Sequence, residues 1–226
     1  YRLARQMEPN KSVIISESAS TVSSRGYYET ELPVKPTDFT NKQQLSSYDL
    51  YAPEWAELAD DDFMWQQEEP YVAGEFVWTG FDYLGEPTPY TNQWAQKNGL
   101  SAREAARSSY FGIVDLCGLP KDRYYLYKSY WNNNENTLHI LPHWNWEGKE
   151  GQKVPVFVYT NGDCAELFVN GQTQGKKCKD PLSSNSVERF RLIWKEVIYE
   201  PGELKVIAWK EGVSLGEQKV ATAGKP

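Results

Sequence analysis

The sequence predicts an α/β segment followed by an all-β segment: the last two βα units of a partial (β/α)8 TIM barrel, then an immunoglobulin-like β-sandwich. Three observations lead there. Residues 1–132 mix helix signals with short runs of the buried-strand type. The run Asn132-Asn133-Asn134-Glu135-Asn136 can bury nothing and reads as a linker. Residues 133–226 carry only strand signals, separated by turns about every 8–12 residues.

The elements follow in order. Tyr1 to Met7 reads as the tail of a helix, and Pro9 ends it because it lacks an amide donor and constrains Glu8. Val13-Ile14-Ile15 is a β-branched run of a strand buried on both faces. Residues 29–50, with Pro33 and Pro36, read as a long loop. Pro53 opens a helix at its favoured first turn, and Trp55, Leu58, Ala59 and Asp62 to Trp65 continue it. Asp60-Asp61-Asp62 reads as a solvated face of that helix, since a metal site would need converging oxygens from elsewhere. Tyr71 to Trp78 is the next buried strand. Ser101 to Arg107 and Lys121 to Trp131 read as helices.

This βαβα order needs a parallel sheet with helices on both faces, and two strands are too narrow to stand alone. That is why the first segment reads as the end of a barrel, with Val13, Ile15, Phe76 and Val77 left exposed for association. In the second segment, strands are expected at 137–144, 153–160, 163–169, 173–178, 187–194, 197–199, 203–210 and 215–222. Asn170-Gly171 is a strong hairpin signal. Cys164 and Cys178 flank it almost evenly, so a disulfide is feasible, with Cys117 left over. His139, His143, Trp144 and Trp146 are read as packing residues in preference to a sugar-binding patch.

Composition bounds the partners. Lys and Arg total 24 against 31 Asp and Glu, a net charge of −7, which disfavours a nucleic-acid partner. An aromatic content of 14% gives ample surface to bury and argues against disorder. No apolar run of about 18 residues exists to span a membrane as a helix. The chain starts at Tyr1, and YRLARQ lacks the apolar core of a signal peptide, so the chain is expected to continue a longer product.

Two residues stand out chemically. Glu17 lies at the carboxyl end of the first strand, where barrels place catalytic groups. Trp78 ends the second strand, with Asp82 four residues on. An aromatic face beside carboxylates is how sugar rings are held, through C–H stacking and hydroxyl hydrogen bonds. The competing readings are a solvated carboxylate and a core tryptophan.

The stretch from Val72 to Tyr90 (VAGEFVWTGFDYLGEPTPY) resembles the eighth-strand motif of glycoside hydrolase family 2, in its β-galactosidase branch. Ile14-Ile15-Ser16-Glu17-Ser18-Ala19-Ser20 is similar to that family's seventh-strand motif. Leu3 to Pro9 resembles the helix and turn leading into it. Phe111-Gly112-Ile113-Val114-Asp115 with Pro120-Lys121-Asp122 is similar to the segment closing the barrel. The resemblance implies that Glu17 is the nucleophile and Trp78 a wall of the sugar subsite. It implies that Asp82 and Glu86 either contact sugar or brace the loop. Some members carry His three residues after the nucleophile; here Ser20 stands there, so contacts of that His do not transfer.

The implied chemistry is retaining hydrolysis of terminal β-galactosides by two carboxyl groups about 5–5.5 Å apart, with no cofactor. In the family the acid/base glutamate follows Asn on the fourth strand. Asn134-Glu135 lies in the linker, so this chain is expected to carry the nucleophile without its partner. The implied partners are a β-galactoside or oligosaccharide and the missing amino-terminal part of the barrel, with room for a homo-oligomer. The compartment is open, a periplasmic or secreted location being slightly favoured. The rival class is a non-catalytic carbohydrate-binding or structural sandwich.

Overall fold

The computed structural model describes residues 2–38, 44–87, 89–101 and 103–224. Contacts divide the chain into two compact units, residues 1–25 with 33–121, and residues 26–32 with 122–226. Among the described residues no helix is long and apolar enough to cross a membrane.

The first unit begins with α1 (Arg2–Met7) and β1 (Val13–Ala19). A long excursion follows, of which residues 39–43 lie outside the described residues. It leads through α2 (Ala59–Glu68) to β2 (Val72–Trp78), and α3 (Asn92–Lys97) lies beyond. The two strands pair in parallel as a two-stranded sheet, which closes no barrel. Helix α2 starts later than Pro53 suggested, because Pro53 to Ala56 forms a separate turn, closed by Ala56 N–H donating to Pro53 O. The helix expected at 101–107 is not formed. Glu104 and Ala105 donate to Ser101 O, and Glu104 takes the Ser101 amide and hydroxyl, so the segment stays a turn, with Ala102 outside the described residues.

Two expectations of exposure fail. Ile15 is only 8% exposed, whereas Ile14 at 60% and Phe76 at 67% carry the open apolar surface. Asp60 and Asp62 are buried beside Ala59 and Phe63, so the acidic triplet is no solvated face. Asp62 lies three residues after Ala59, on the same inward stripe as Phe63. All three acids occupy the first turn, where the helix dipole favours negative charge.

The second unit contains α4 (Asp122–Trp131), β3 (Leu138–Leu141), β4 (Lys153–Thr160), β5 (Cys164–Val169), β6 (Gln172–Cys178), α5 (Ser186–Phe190), β7 (Leu192–Ile198), β8 (Glu203–Lys210) and β9 (Val213–Ala221). The strands form sheets of order β3-β4-β7 and β6-β5-β8-β9, all antiparallel. Alternate residues of β4, β5 and β8 (Val154, Val156, Val158; Ala165, Leu167, Val169; Leu204, Val206, Ala208) pack into one core with Trp144, Trp146 and Trp194. Burial of Trp144 and Trp146 removes them as a sugar platform. Residues 187–199 form a short helix and one strand, where two strands were expected. Asn185 caps that helix by accepting from Val187 N–H at 3.1 Å.

Helix α4 packs on β3 and β4. Its Asp122 accepts from Tyr28 Oη at 2.6 Å and pairs with His139 Nε2 at 2.6 Å, and His139 stacks on Tyr125. Asn170 and Gly171 both take positive φ, as a tight hairpin with right-handed strand twist requires. Cys164 and Cys178 face each other in register and are bonded.

Candidate active site

Glu17 owes its position to a β-bulge. Ile15 pairs with Glu75 and Ser18 with Val77, so Ser16 and Glu17 together oppose Phe76. Normal alternation would bury one of the two; here both are exposed. A bulge re-aims side chains in this way, and bulges gather at barrel rims and active sites. Glu17 lines an open groove of about 580 Å³ with Ile15, Glu57, Trp65 and residues of α1.

The chain then leaves the sheet by an unusual turn. Ala19 and Ser20 have φ of 59° and 57°, each costing about 1–2 kcal/mol for a residue with a Cβ. The turn is fixed on every side. Ala19 N–H donates to Asp62 Oδ2 at 3.0 Å, and Ala19 O accepts from Glu57 N–H at 3.2 Å. Ser18 Oγ donates to Glu75 Oε2 at 2.5 Å, Thr21 Oγ1 to Asp49 Oδ2 at 3.3 Å, and Val22 N–H to Tyr51 O at 2.9 Å. Burial pushes the Glu57 carboxyl above its ordinary pKa. The charges of Asp61 and Glu75 add to this, against hydrogen bonds to the Ala19 backbone and Asp62.

Trp78 stands at the same sheet end, because Ala19 is its register partner on β1. The indole is 37% exposed and meets Tyr83 edge-on, with centroids 6.1 Å apart. The Trp78–Thr79 peptide is cis. Residues 111–114 run beside the loop that follows. Thr79 donates to Phe111 O, Ile113 to Thr79 O, Val114 to Gly80 O, and Asp82 N–H to Val114 O.

Asp82 is committed to that loop. Its Oδ1 accepts from Gly112 N–H at 2.7 Å, and Lys121 Nζ reaches it at 2.8 Å. Lys121, only 1% exposed, also donates to Ser23 O and Tyr110 O. These bonds brace the loop, which is one of the two roles left open by the sequence. Arg25 pairs with Asp115, whose other bonds hold the turn at Cys117 and Leu119. Glu86 is exposed, beyond the bridge Leu84 makes with Ser108.

The structure therefore brings Glu17 and Trp78 to one sheet edge and ties Asp82 behind Trp78. Sequence reading missed Asp62, Lys121 and Gly112 as supports. Asp62 carried a usable signal, its place on the apolar stripe of α2; the reach of Lys121 across the fold carried none. Among the described residues no cluster of His, Cys, Asp or Glu could hold a metal.

Residues 151–221 match the model of a domain of unknown function (DUF4982). A β-galactosidase of Bacteroides ovatus is 40% identical over 227 residues, which is 96% of this chain and 24% of that protein. A putative β-glucuronidase of Formosa agariphila is 30% identical over 256 residues, 96% of this chain and 22% of that protein. The crystal structure of a β-glycosidase from Bacteroides vulgatus superposes with a TM-score of 0.78 at 28% identity, covering 100% of this chain and 29% of that one. The chain thus spans about a quarter of the length of the curated relatives it matches.

Proposed function

Since the homologues and structural neighbours of this chain are glycoside hydrolase family 2 proteins, β-galactosidases and β-glucuronidases, and it corresponds to the carboxyl-terminal region of these longer proteins, we propose that it supplies the nucleophile of a retaining β-galactosidase. The observation that carries this reading is Glu17 on a bulge near the carboxyl end of β1, with Trp78 closing β2 opposite Ala19, two residues further on. In it, residues 1–132 are the last two βα units of a TIM barrel and 133–226 an immunoglobulin-like domain.

Glu17 attacks the anomeric carbon of a terminal β-galactoside and forms a glycosyl ester, while a carboxylic acid protonates the departing oxygen. The same acid, now a base, takes a proton from water, which cleaves the ester with net retention. Trp78 stacks on the sugar ring. Asp82 acts through the loop it braces, and Glu86 offers a carboxylate at the open end of that loop. The acid/base group comes from the amino-terminal part of the barrel, which covers the apolar surface at Ile14 and Phe76. The Cys164–Cys178 disulfide favours an oxidising compartment.

A glucuronide is the second reading, motivated by the Formosa relative. Its sugar carboxylate would sit poorly near the Glu17 groove, which is lined by Glu57, Glu68 and Glu69 against Arg2 alone among cations. Chromogenic β-galactoside and β-glucuronide, offered to this chain together with the missing portion, separate the two. Galactoside hydrolysis, lost by about 10³-fold or more in Glu17→Gln, is the expected result. Preference for the glucuronide overturns the substrate, and unchanged activity of Glu17→Gln overturns the role.

A further inference from the structure

We infer that Asp62 is the positioning residue for Glu17: its buried carboxylate holds the Ala19 amide and so fixes the bulged strand end that presents the nucleophile. This rests on the role proposed for Glu17 and deepens it. Four observations carry it. Asp62 Oδ2 accepts from Ala19 N–H at 3.0 Å, across 43 residues of sequence. Asp62 is fully buried although it belongs to an acidic triplet at a helix start. Its neighbour Asp61 already serves the local need, accepting from Leu58 N–H at 3.3 Å, so the bond from Asp62 is additional to helix capping. The peptide it holds begins a pair of left-handed, non-glycine residues two positions after Glu17.

The physical logic is over-determination. Ala19 and Ser20 persist in a sparsely populated conformation only if their surroundings leave no alternative. The Ser20 N–H to Ser18 O bond, at 2.8 Å, closes the turn from within. Asp62 and Glu57 close it from outside: Asp62 accepts from the Ala19 amide, the Glu57 amide donates to Ala19 O, and the Glu57 carboxyl bonds both the Ala19 backbone and Asp62. Were the Ala19 amide released, β1 could relax its bulge, and the Glu17 carboxylate would lose its fixed distance to the anomeric carbon. A displacement of about 1 Å can cost on the order of 100-fold in rate. Asp62 holds the strand two residues beyond the nucleophile and lies inside the protein, so it acts through Glu17 and not on the sugar.

The test uses the full-length enzyme of which we propose this chain is a part. A 2-fluoro galactoside traps the glycosyl-enzyme, and its rate of incorporation reports nucleophilic attack. Asp62→Ala should slow trapping by about 10–100-fold per titrated site, with KM little changed. Asp62→Asn, whose amide oxygen still accepts from Ala19 N–H, should restore most of the rate. Should Asp62→Ala not fold, Asp62→Glu, which displaces the carboxylate by one methylene, gives the same readout. Lowered thermal stability with an unchanged trapping rate per site would overturn the inference and leave the function standing. Unchanged activity of Glu17→Gln would instead remove the reading beneath it.

Discussion

Lys121 Nζ, closed to solvent, lies 2.8 Å from Asp82, and the pair ties the loop after Trp78 to the segment that follows Val114. A buried ion pair is weak evidence for net stability, but removing one partner strands the other charge. Lys121→Met and Asp82→Leu should each lose about 3–5 kcal/mol in urea unfolding, and the double variant should recover a large part of it. A direct sugar contact by Asp82 would show differently, as lost affinity with unchanged stability.

Gly112 should be irreplaceable for a different reason. A Cβ there would lie 2.0 Å from Asp82 N and 2.4 Å from Phe81 C, both backbone atoms that cannot move without opening the loop. Gly112→Ala should cost about 3 kcal/mol or more, at the upper end for overpacking, and abolish activity by displacing Trp78. Gly80→Ala, in the same loop with nothing within 4 Å, is the control and should leave melting temperature and activity close to wild type.

The sandwich should depend on its disulfide. Cys164 and Cys178 are 14 residues apart, a loop whose closure contributes about 3 kcal/mol. Thiol titration of the native chain should find one thiol, the exposed Cys117, and three after reduction. Two unbonded thiols more in the native chain would contradict the pairing.

Glu57 gives a pH signature. Its folded pKa is raised, so the unfolded chain releases this proton at lower pH than the folded one. The stability this contributes is present below the ordinary glutamate pKa and is lost as pH rises through the raised value. Glu57→Gln should remove that decline, gaining on wild type as pH rises from about 4 towards 7. A stability difference independent of pH would contradict the shift.

Much of this was legible because the local signals were strong. Val13 to Ile15 and Phe76 to Trp78 announced strands, and Asn170-Gly171 announced its hairpin. The places of Glu17 and Trp78 near strand ends followed from the same runs. What escaped was tertiary. The Asp60 to Asp62 run looks solvated by composition, and only its packing against β1 shows Asp62 turned inward. Residues 187–199 carry a strand-like apolar density, yet an Asn cap at residue 185 starts a helical turn. The bulge at Ser16 and Glu17 depends on register with β2, which no short window contains.

The most direct test of the account is to identify the residue labelled by a 2-fluoro galactoside in the full-length protein. Peptide mapping by mass spectrometry should place the sugar on Glu17, with no label in Glu17→Gln. A label on any other carboxylate, or full labelling of Glu17→Gln, would contradict the account.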